Sequence, residues 1–395
     1  MTTHFSATPP MEPLPSAASG EDRGTIAELL PLLRGIGPVL APDADGEAVR
    51  DRLVRELNPP PRGRVSVSPG RSWTRDGVDG LALSWDVGFG APTQAWLLRP
   101  EGVEGELPGV VALHCHGGMK YLGKEKIADG PDGPHPDTIA FRVECYGGRA
   151  YANDLARRGY AVLVHDVFGW GSRRIPVDDM PARSESVAAL QLAEAERTGR
   201  QLTESQVYDL HAGPHEDAMA KTLGVLGTSW GGVVAREDLI AVDVLAGLDG
   251  VAPGGIAVVG MSGGGARAAT ATALAGPDGP IRAAVIASMM STMEHVLDGY
   301  LHSHTWMMMN PGLGRVADWP DIAAAARPTP LFVGYALADK LFPEAGMRAA
   351  HARLHALYAE AGDPDAYRGV LVDAPHSLAG EMRDAAFAFL DAHTP

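Results

Sequence analysis

The feature that most constrains the fold is an apolar β-type run that leads directly into the pentapeptide Gly-Met-Ser-Gly-Gly. Residues 255–259 predict a short buried strand, and the pentapeptide occupies 260–264. The alanine-rich stretch 266–275 then predicts a helix that ends at Gly276-Pro277. A strand, a glycine-flanked serine and a helix in this order are typical of the sharp turn that exposes a nucleophilic serine, which is here Ser262.

A second pentapeptide, Gly-Thr-Ser-Trp-Gly at 227–231, also fits the pattern G-x-S-x-G. Its preceding run, 223–226, is short and interrupted by glycine, and the bulky Trp230 follows its serine where the turn needs a small residue. We therefore expect Ser229 to begin the following helix and Ser262 to be the nucleophile.

The rest of the chain alternates buried strand patterns with helical patterns. Strands are predicted at 110–114, 161–165, 256–259, 283–287, 331–333 and 369–372, with an antiparallel pair before them at 81–87 and 93–98. Helices are predicted near 149–158, 232–246, 264–275, 345–360 and 379–392. This alternation predicts an α/β fold in which helices flank a mainly parallel central sheet.

Several segments lie outside this alternation. Residues 1–24 have the composition of a disordered tail, and 25–75, where apolar residues first follow a helical spacing, are expected to form an N-terminal helical extension. The main domain is predicted over 76–395. It includes a loop rich in Gly, Pro and Asp at 119–146 and a lid-like insertion at about 174–226. Such insertions either cover an active site or decorate the surface, and the sequence leaves both open.

The composition limits the classes of partner that the protein is expected to bind. The formal net charge of −16 argues against a nucleic-acid or anionic-membrane partner. There is no apolar run of the roughly 18 residues that a membrane span needs, and the first residues lack a signal-peptide core. The two cysteines, Cys115 and Cys145, form neither a disulfide framework nor a metal-ligand spacing. We expect a cytoplasmic protein with a small-molecule substrate and neither metal nor cofactor; the sequence leaves a homo-oligomer open.

An activated serine needs a base, and the base needs a carboxylate that holds its tautomer. Asp339 follows the predicted strand at 331–333, and His376 follows the last strand and precedes the final helix. The order serine, acid, histidine is the one that this type of serine turn uses. We expect His376 to be the base and Asp339 its orienting acid, with Asp373 as the rival acid.

The oxyanion of an acyl-transfer intermediate needs two backbone N–H donors. One is expected from Gly263, directly after the nucleophile. The other is expected from the loop after the 110–114 strand, with Gly118 favoured and Met119 next. His114 and His116 could form a catalytic or metal pair, but structural hydrogen bonding in the loop is the favoured interpretation. Cys115 is expected to be a buried structural thiol.

Methionines are concentrated between residues 289 and 309, after the strand that follows the nucleophile helix. Flexible thioethers suit an adaptable apolar cavity, although they also fill ordinary cores, and both interpretations stay open. The residues expected to line the substrate pocket are Trp170, Met261, Met290 and Trp306.

A series of motifs over residues 80–392 resembles one known family. The motifs, in chain order, are His116-Gly117-Gly118, Gly-Lys-Glu-Lys at 123–126, Tyr-Gly-Gly-Arg-Ala-Tyr-Ala at 146–152, Asp-Val-Phe-Gly-Trp-Gly-Ser-Arg at 166–173, the Ser262 pentapeptide, Asn-Pro-Gly-Leu at 310–313, Asp-Lys-Leu-Phe-Pro at 339–343 and His376. Together they resemble a prokaryotic group of α/β-hydrolases related to dienelactone hydrolases and acetyl xylan esterases. The resemblance implies an α/β-hydrolase fold and a Ser-His-Asp esterase mechanism without a cofactor. Dienelactone hydrolases proper use a cysteine nucleophile, so Ser262 favours the esterase side.

The sequence thus predicts a serine hydrolase that cleaves a carboxylic ester with a small or medium apolar acyl or alcohol group. An acyltransferase or cyclase would use the same triad, and a peptidase or amidase is a further alternative. A binding protein that kept the fold would have no need of all three triad residues.

Overall fold

The computed structural model describes Leu29, Leu32 and residues 45–394. Within them, nine strands form one sheet in the order β1-β2-β3-β5-β4-β6-β7-β8-β9. The strands are β1 Ser68–Arg75, β2 Val78–Trp85, β3 Thr93–Pro100, β4 Leu107–Leu113, β5 Ala161–His165, β6 Val251–Met261, β7 Ile281–Ala287, β8 Leu331–Ala336 and β9 Tyr367–Val372. The pairs β1-β2, β2-β3 and β3-β5 are antiparallel, and the other neighbours are parallel. The expected antiparallel edge and mainly parallel sheet are confirmed.

Helices pack on both faces of the sheet. They are α1 Gly46–Leu57, α2 Pro136–Tyr146, α3 Tyr151–Arg157, α4 Ala182–Arg197, α5 Glu204–Val225, α6 Trp230–Ala246, α7 Gly263–Ala275, α8 Met293–Val296, α9 Trp319–Ala323, α10 Glu344–Glu360 and α11 Gly380–His393. In the part of the chain that the structure describes, no helix is both long and apolar enough to cross a membrane.

The alternation of side chains along the central strands divides the core in two. In β4, Val111 and Leu113 belong to one buried cluster, together with apolar side chains of α1, α6, α7 and α10. Their neighbours Val110 and Ala112 belong to a second cluster, with side chains of α2, α3 and α11. Since strands buried on both faces need apolar residues at every position, these strands appear in the sequence as continuous apolar runs.

The N-terminal region differs from the sequence expectation. The expected tail over 1–24 lies outside the described residues, as does most of 25–44. Residues 68–75 form β1 rather than the end of a helical extension over 25–75, so the sheet begins earlier than expected. Most β1 side chains are exposed, so the strand lacks the apolar alternation that would have identified it.

Helix α1 is part of the main body of the protein. Val49 and Leu53 are buried in the first core cluster. Two arginines fix the helix to distant loops: Arg50 Nη1 donates to the carbonyl of Ala325 at 2.6 Å, and Arg52 Nε to the carbonyl of Val316 at 2.8 Å. Burial and these bonds tie the helix to the α/β core.

The two long irregular segments contain helices of their own. Helix α2 lies in the 119–146 segment that was expected to be a loop; His135 caps it and Pro136 occupies its first turn, which proline tolerates. The insertion contains α4 and α5, which pack against each other. Thr203 caps α5 with a reciprocal bond to Gln206.

A buried ionic network fixes α6 to α7. The Arg267 guanidinium donates to both Asp238 oxygens, at 3.0 and 2.6 Å, and His165 Nε2 lies 3.0 Å from Asp238 Oδ1. Burial opposes ionisation of this carboxyl, but Arg267 and His165 outweigh it and lower the pKa of Asp238. The network connects α7 to the end of β5.

Removing one member of this network should destabilise the fold strongly. We expect Asp238→Ala to lower the free energy of unfolding by about 3–5 kcal/mol, because it leaves a buried guanidinium without its carboxylate. Asp243→Ala, on the same helix, removes only an exposed pair with Arg62 and should cost less than about 1 kcal/mol. Denaturant unfolding followed by circular dichroism measures both. Equal losses in the two variants would contradict this account.

Candidate active site

Ser262 lies in a strained turn between β6 and α7. Its backbone has φ 57° and ψ −125°, which a non-glycine residue adopts only under constraint. A β-carbon on Gly260 would overlap the carbonyl of Gly264, and one on Gly264 would overlap the carbonyl of Leu113. Both flanking glycines of the pentapeptide are therefore required by close backbone packing. The Ser262 N–H donates to the carbonyl of Ala287 at 2.8 Å, which fixes the turn to β7.

The structure brings His376 and Asp339 together at the ends of β9 and β8. His376 Nδ1 lies 2.6 Å from Asp339 Oδ2. Asp339 is buried, and its other oxygen accepts the Leu341 N–H at 2.8 Å. Because the carboxylate only accepts, Nδ1 carries the proton and Nε2 is left as a base. The rival acid, Asp373, is exposed to solvent.

The loop that carries His376 is held on both sides. Ser288 Oγ donates to the carbonyl of Ser377 at 2.7 Å, and the Leu378 N–H donates to the carbonyl of Cys145 at 2.8 Å. The Phe342 ring stacks against the imidazole of His376, with 6.3 Å between centroids. These contacts restrict the ring to one orientation.

Ser262 and His376 line one cavity of about 680 Å³ at the carboxyl ends of the central strands. The remaining lining residues are Cys115, His116, Gly117, Gly118, Lys120, Phe141, Cys145, Gly213, Glu216, Met261, Gly263, His302, Ser303, His304, Thr305, Met308 and Leu341. Ligand sites of this size are common in enzymes, and in open α/β sheets they lie at this edge.

The loop after β4 borders the same cavity. Gly117 and Gly118 both have positive φ, 64° and 62°, so two successive residues adopt the left-handed conformation that glycine tolerates. The Gly118 N–H donates to His116 Nδ1 at 3.0 Å, and the Met119 N–H to the carbonyl of His116 at 3.3 Å. The two expected oxyanion donors, Gly118 and Met119, thus already have acceptors within their own loop.

The backbone N–H of His116 is a further candidate donor, because it lies close to Gly263 and has no acceptor of its own in the described part of the chain. A β-carbon placed on Gly263 would lie 3.0 Å from His116 N. Among the described residues, none accepts a hydrogen bond from this N–H. Gly263 itself opens α7, where first-turn amides have no partner within the helix. The two N–H groups therefore border the same region of the cavity as the Ser262 turn.

The insertion contributes charged groups to the cavity. Because His116 Nδ1 accepts from Gly118, its Nε2 carries the proton and donates to Glu216 of α5. Lys120 Nζ lies 2.7 Å from the same Glu216 oxygen, and Thr305 Oγ1 donates to the other at 3.3 Å. Burial opposes ionisation of the Glu216 carboxyl, but His116 and Lys120 outweigh it and lower the pKa of Glu216 to about 2. Of the two interpretations of the insertion, this contact favours a lid.

Of the four expected pocket residues, only Met261 lines the cavity. Met290 is buried in the first core cluster after β7, and Trp170 is buried against Trp230, with 5.0 Å between the stacked rings. Trp306 is 38% exposed and donates to Asp217 at 2.6 Å on the outer side of α5. From the methionine-rich stretch, Met308 reaches the cavity.

The other candidates from the sequence have structural surroundings. Ser229 caps α6, where its Oγ accepts the Gly232 N–H at 3.0 Å and donates to Leu57. His114 is buried, with Nδ1 3.1 Å from the Cys115 carbonyl. Both cysteines are buried and free. Within residues 45–394 and the two isolated leucines, no group of three or more His, Cys, Asp or Glu could hold a metal ion.

Sequence reasoning missed Glu216, Lys120 and the His116 amide. The first two lie in segments without strand or motif signals, and only the fold of the insertion brings α5 over the β4 loop. The position of the His116 amide depends on the orientation of one peptide plane, which no residue type encodes. His302 and Thr305 also line the cavity, from the segment between α8 and α9.

Comparisons with known proteins agree with this architecture. No protein-family model matches the chain. It is 25% identical over 342 residues to "Putative hydrolase YtaP" of Bacillus subtilis strain 168, covering 86% of this chain and 95% of that protein. A solved structure of a "putative acetyl xylan esterase" from Bacteroides fragilis NCTC 9343 is similar with a TM-score of 0.61 and 14% identity, over 88% of this chain and 82% of that one. A glucuronoyl esterase from Solibacter usitatus gives 0.58 and 11%, over 89% and 92%. The chain therefore has the α/β-hydrolase fold that its motifs predict.

The site geometry predicts that one serine is chemically activated. We expect a fluorophosphonate probe to modify Ser262, because Ser262 shares its cavity with His376, the expected base, and lies in the type of turn that activates a serine. Peptide mass spectrometry locates the adduct. Ser262→Ala and His376→Ala should lose the adduct, whereas Ser229→Ala should keep it. An adduct that survives Ser262→Ala would place the nucleophile elsewhere.

Proposed function

We propose that the protein is a serine hydrolase that cleaves carboxylic esters. The observation that carries the proposal is the convergence of Ser262, with its strained backbone, and the Asp339–His376 pair on one cavity. The similarity to an acetyl xylan esterase and a glucuronoyl esterase supports ester hydrolysis, although at these identities it establishes only the fold.

The proposed reaction uses each group in turn. Ser262 Oγ attacks the acyl carbon while His376 Nε2 takes its proton, and Asp339 stabilises the imidazolium that forms. The N–H groups of Gly263 and His116 bind the oxyanion. The imidazolium then protonates the departing alcohol. Water, deprotonated by the same imidazole, hydrolyses the acyl-enzyme and restores Ser262.

The cavity supports an ester of small or medium size. Its apolar wall is formed by Phe141, Met261, Met308 and Leu341, which fits the expected apolar acyl or alcohol group. The lining also includes polar side chains, among them His304, whose Nε2 lies 3.0 Å from the Leu341 carbonyl. Burial lowers the pKa of His304 to about 4, so its imidazole is neutral near neutral pH. A substrate with an apolar and a polar part would match this mixed lining.

We also propose a cytoplasmic location and a small-molecule ester as the substrate. Two free, buried cysteines are consistent with the reducing cytoplasm. The net charge of −16 supports a neutral or cationic small-molecule substrate rather than nucleic acid.

The role of Asp339 can be tested against a nearby aspartate. We expect Asp339→Asn to lower kcat for p-nitrophenyl acetate by about 10⁴-fold, because an amide leaves His376 in the wrong tautomer without changing the shape of the site. Asp373→Asn, in the loop that carries His376, should remain close to wild type. Steady-state kinetics measures both variants. If Asp373→Asn is the inactive one, the acid has been assigned to the wrong residue.

A further inference from the structure

The carbonyl groups of the β4 loop are bonded, one after another, to buried side chains. Tyr151 Oη donates to the carbonyl of Leu113 at 3.2 Å, and Arg267 Nη1 to that of His114 at 2.9 Å. Lys126 Nζ donates to the next two carbonyls and to one further along. The three acceptors are Cys115 at 2.6 Å, His116 at 2.9 Å and Met119 at 2.9 Å.

Lys126 is an unusual lysine because its ammonium donates hydrogen bonds to three backbone carbonyls. It is fully buried, and its three N–H donors match its three carbonyl acceptors. Lys124, two residues earlier in the same short turn, instead pairs with Asp166 and Glu125, both at 2.8 Å. The buried Lys126 ammonium is thus hydrogen-bonded to the loop after β4 and to no carboxylate of the described residues.

Peptide geometry connects this ammonium to the oxyanion hole. In a planar trans peptide the carbonyl and the N–H point in opposite directions. The Cys115 carbonyl points at Lys126 Nζ, so the His116 N–H of the same peptide points the other way, toward the start of α7. His116 N lies 3.0 Å from where a β-carbon on Gly263 would be. Rotation of this peptide would turn the N–H away from the site.

We propose that Lys126 is a positioning residue for the oxyanion hole, whose ammonium holds the Cys115–His116 peptide so that the His116 N–H faces the oxyanion formed at Ser262. The inference rests on the proposed ester hydrolysis. A neutral amine has only two N–H donors, and its lone pair would face a carbonyl oxygen. Loss of the proton therefore removes one of the three bonds to the loop and weakens the hold on this peptide, whose Cys115 carbonyl keeps the His114 ring as its other partner at 3.1 Å.

The surroundings of Lys126 bring this proton loss into a measurable range. Burial lowers the pKa of the Lys126 ammonium to about 8; the nearby Arg267 adds to the effect, while Cys115, Asp209 and Asp166 oppose it. Arg142 bonds the Lys126 carbonyl at 3.2 Å, and burial keeps His114 neutral by lowering its pKa. The ammonium is present below this pKa and is lost as the pH rises through it. Activity should therefore fall on the alkaline side.

Three proteins test the proposal with p-nitrophenyl acetate from about pH 6 to about pH 10, with Ser262→Ala as the blank. In the wild type, kcat should fall above about pH 8. Lys126→Met should lower kcat near neutral pH by about 10²–10³-fold, as loss of one oxyanion donor does, with little change in KM and no alkaline decline. Lys126→Arg, which stays charged, should retain much of the activity and also lose the decline.

Lys124→Met is the matched control, because it removes an equally buried lysine from the same turn without touching the loop. It should lower Tm yet keep the alkaline decline. Folded Lys126→Met with wild-type kcat and the wild-type decline would overturn the proposal. If Lys126→Met does not fold, Lys126→Arg decides: an unchanged alkaline decline overturns the proposal, and its loss supports it. A wild type with neither ester turnover nor a fluorophosphonate adduct would instead refute the proposed function itself.

Discussion

Backbone-to-backbone packing at the carboxyl ends of β4 and β6 is the constraint on which the site depends. The Ser262 turn leaves no room for a β-carbon at Gly264, because the carbonyl of Leu113 lies against it. Gly263 also lies close to the backbone of His116, whose nitrogen would be 3.0 Å from a β-carbon on Gly263. Ser262 and the loop after β4 therefore have a fixed spacing set by main-chain atoms. A fixed spacing of this kind is what electrostatic stabilisation of a transition state requires.

Hydrogen bonds from buried cations hold the two segments at that spacing. Arg267, on the nucleophile helix, bonds both the β4 loop and Asp238, so α6, α7 and the loop form one unit. Lys126 adds three bonds to the same loop. Buried charges are costly unless each is paired or hydrogen-bonded, and here each ammonium or guanidinium donor is used to fix a functional segment. On the cavity side, Glu216 of the insertion pairs with the Lys120 ammonium and accepts the Nε2–H of His116.

Local signals in the sequence were enough to predict the parts of the site that depend on one strand and one turn. The apolar run before Ser262 predicted β6 and the serine turn, and chain order identified Asp339 and His376 as the residues that the structure brings together. The sequence failed where the outcome depends on distant partners. The Gly118 N–H was expected to face the substrate, but the His116 ring accepts it. Met290 was expected in the pocket, but the path of the chain after β7 buries it in the core.

The measurement that tests the account most directly is rapid-quench mass spectrometry during turnover of p-nitrophenyl acetate. The account predicts that one acetyl group accumulates on the peptide that contains Ser262, together with a burst of nitrophenolate equivalent to the enzyme present. Turnover without any covalent acetyl group, or an acetyl group carried by Ser229 or Cys115 instead, would contradict it.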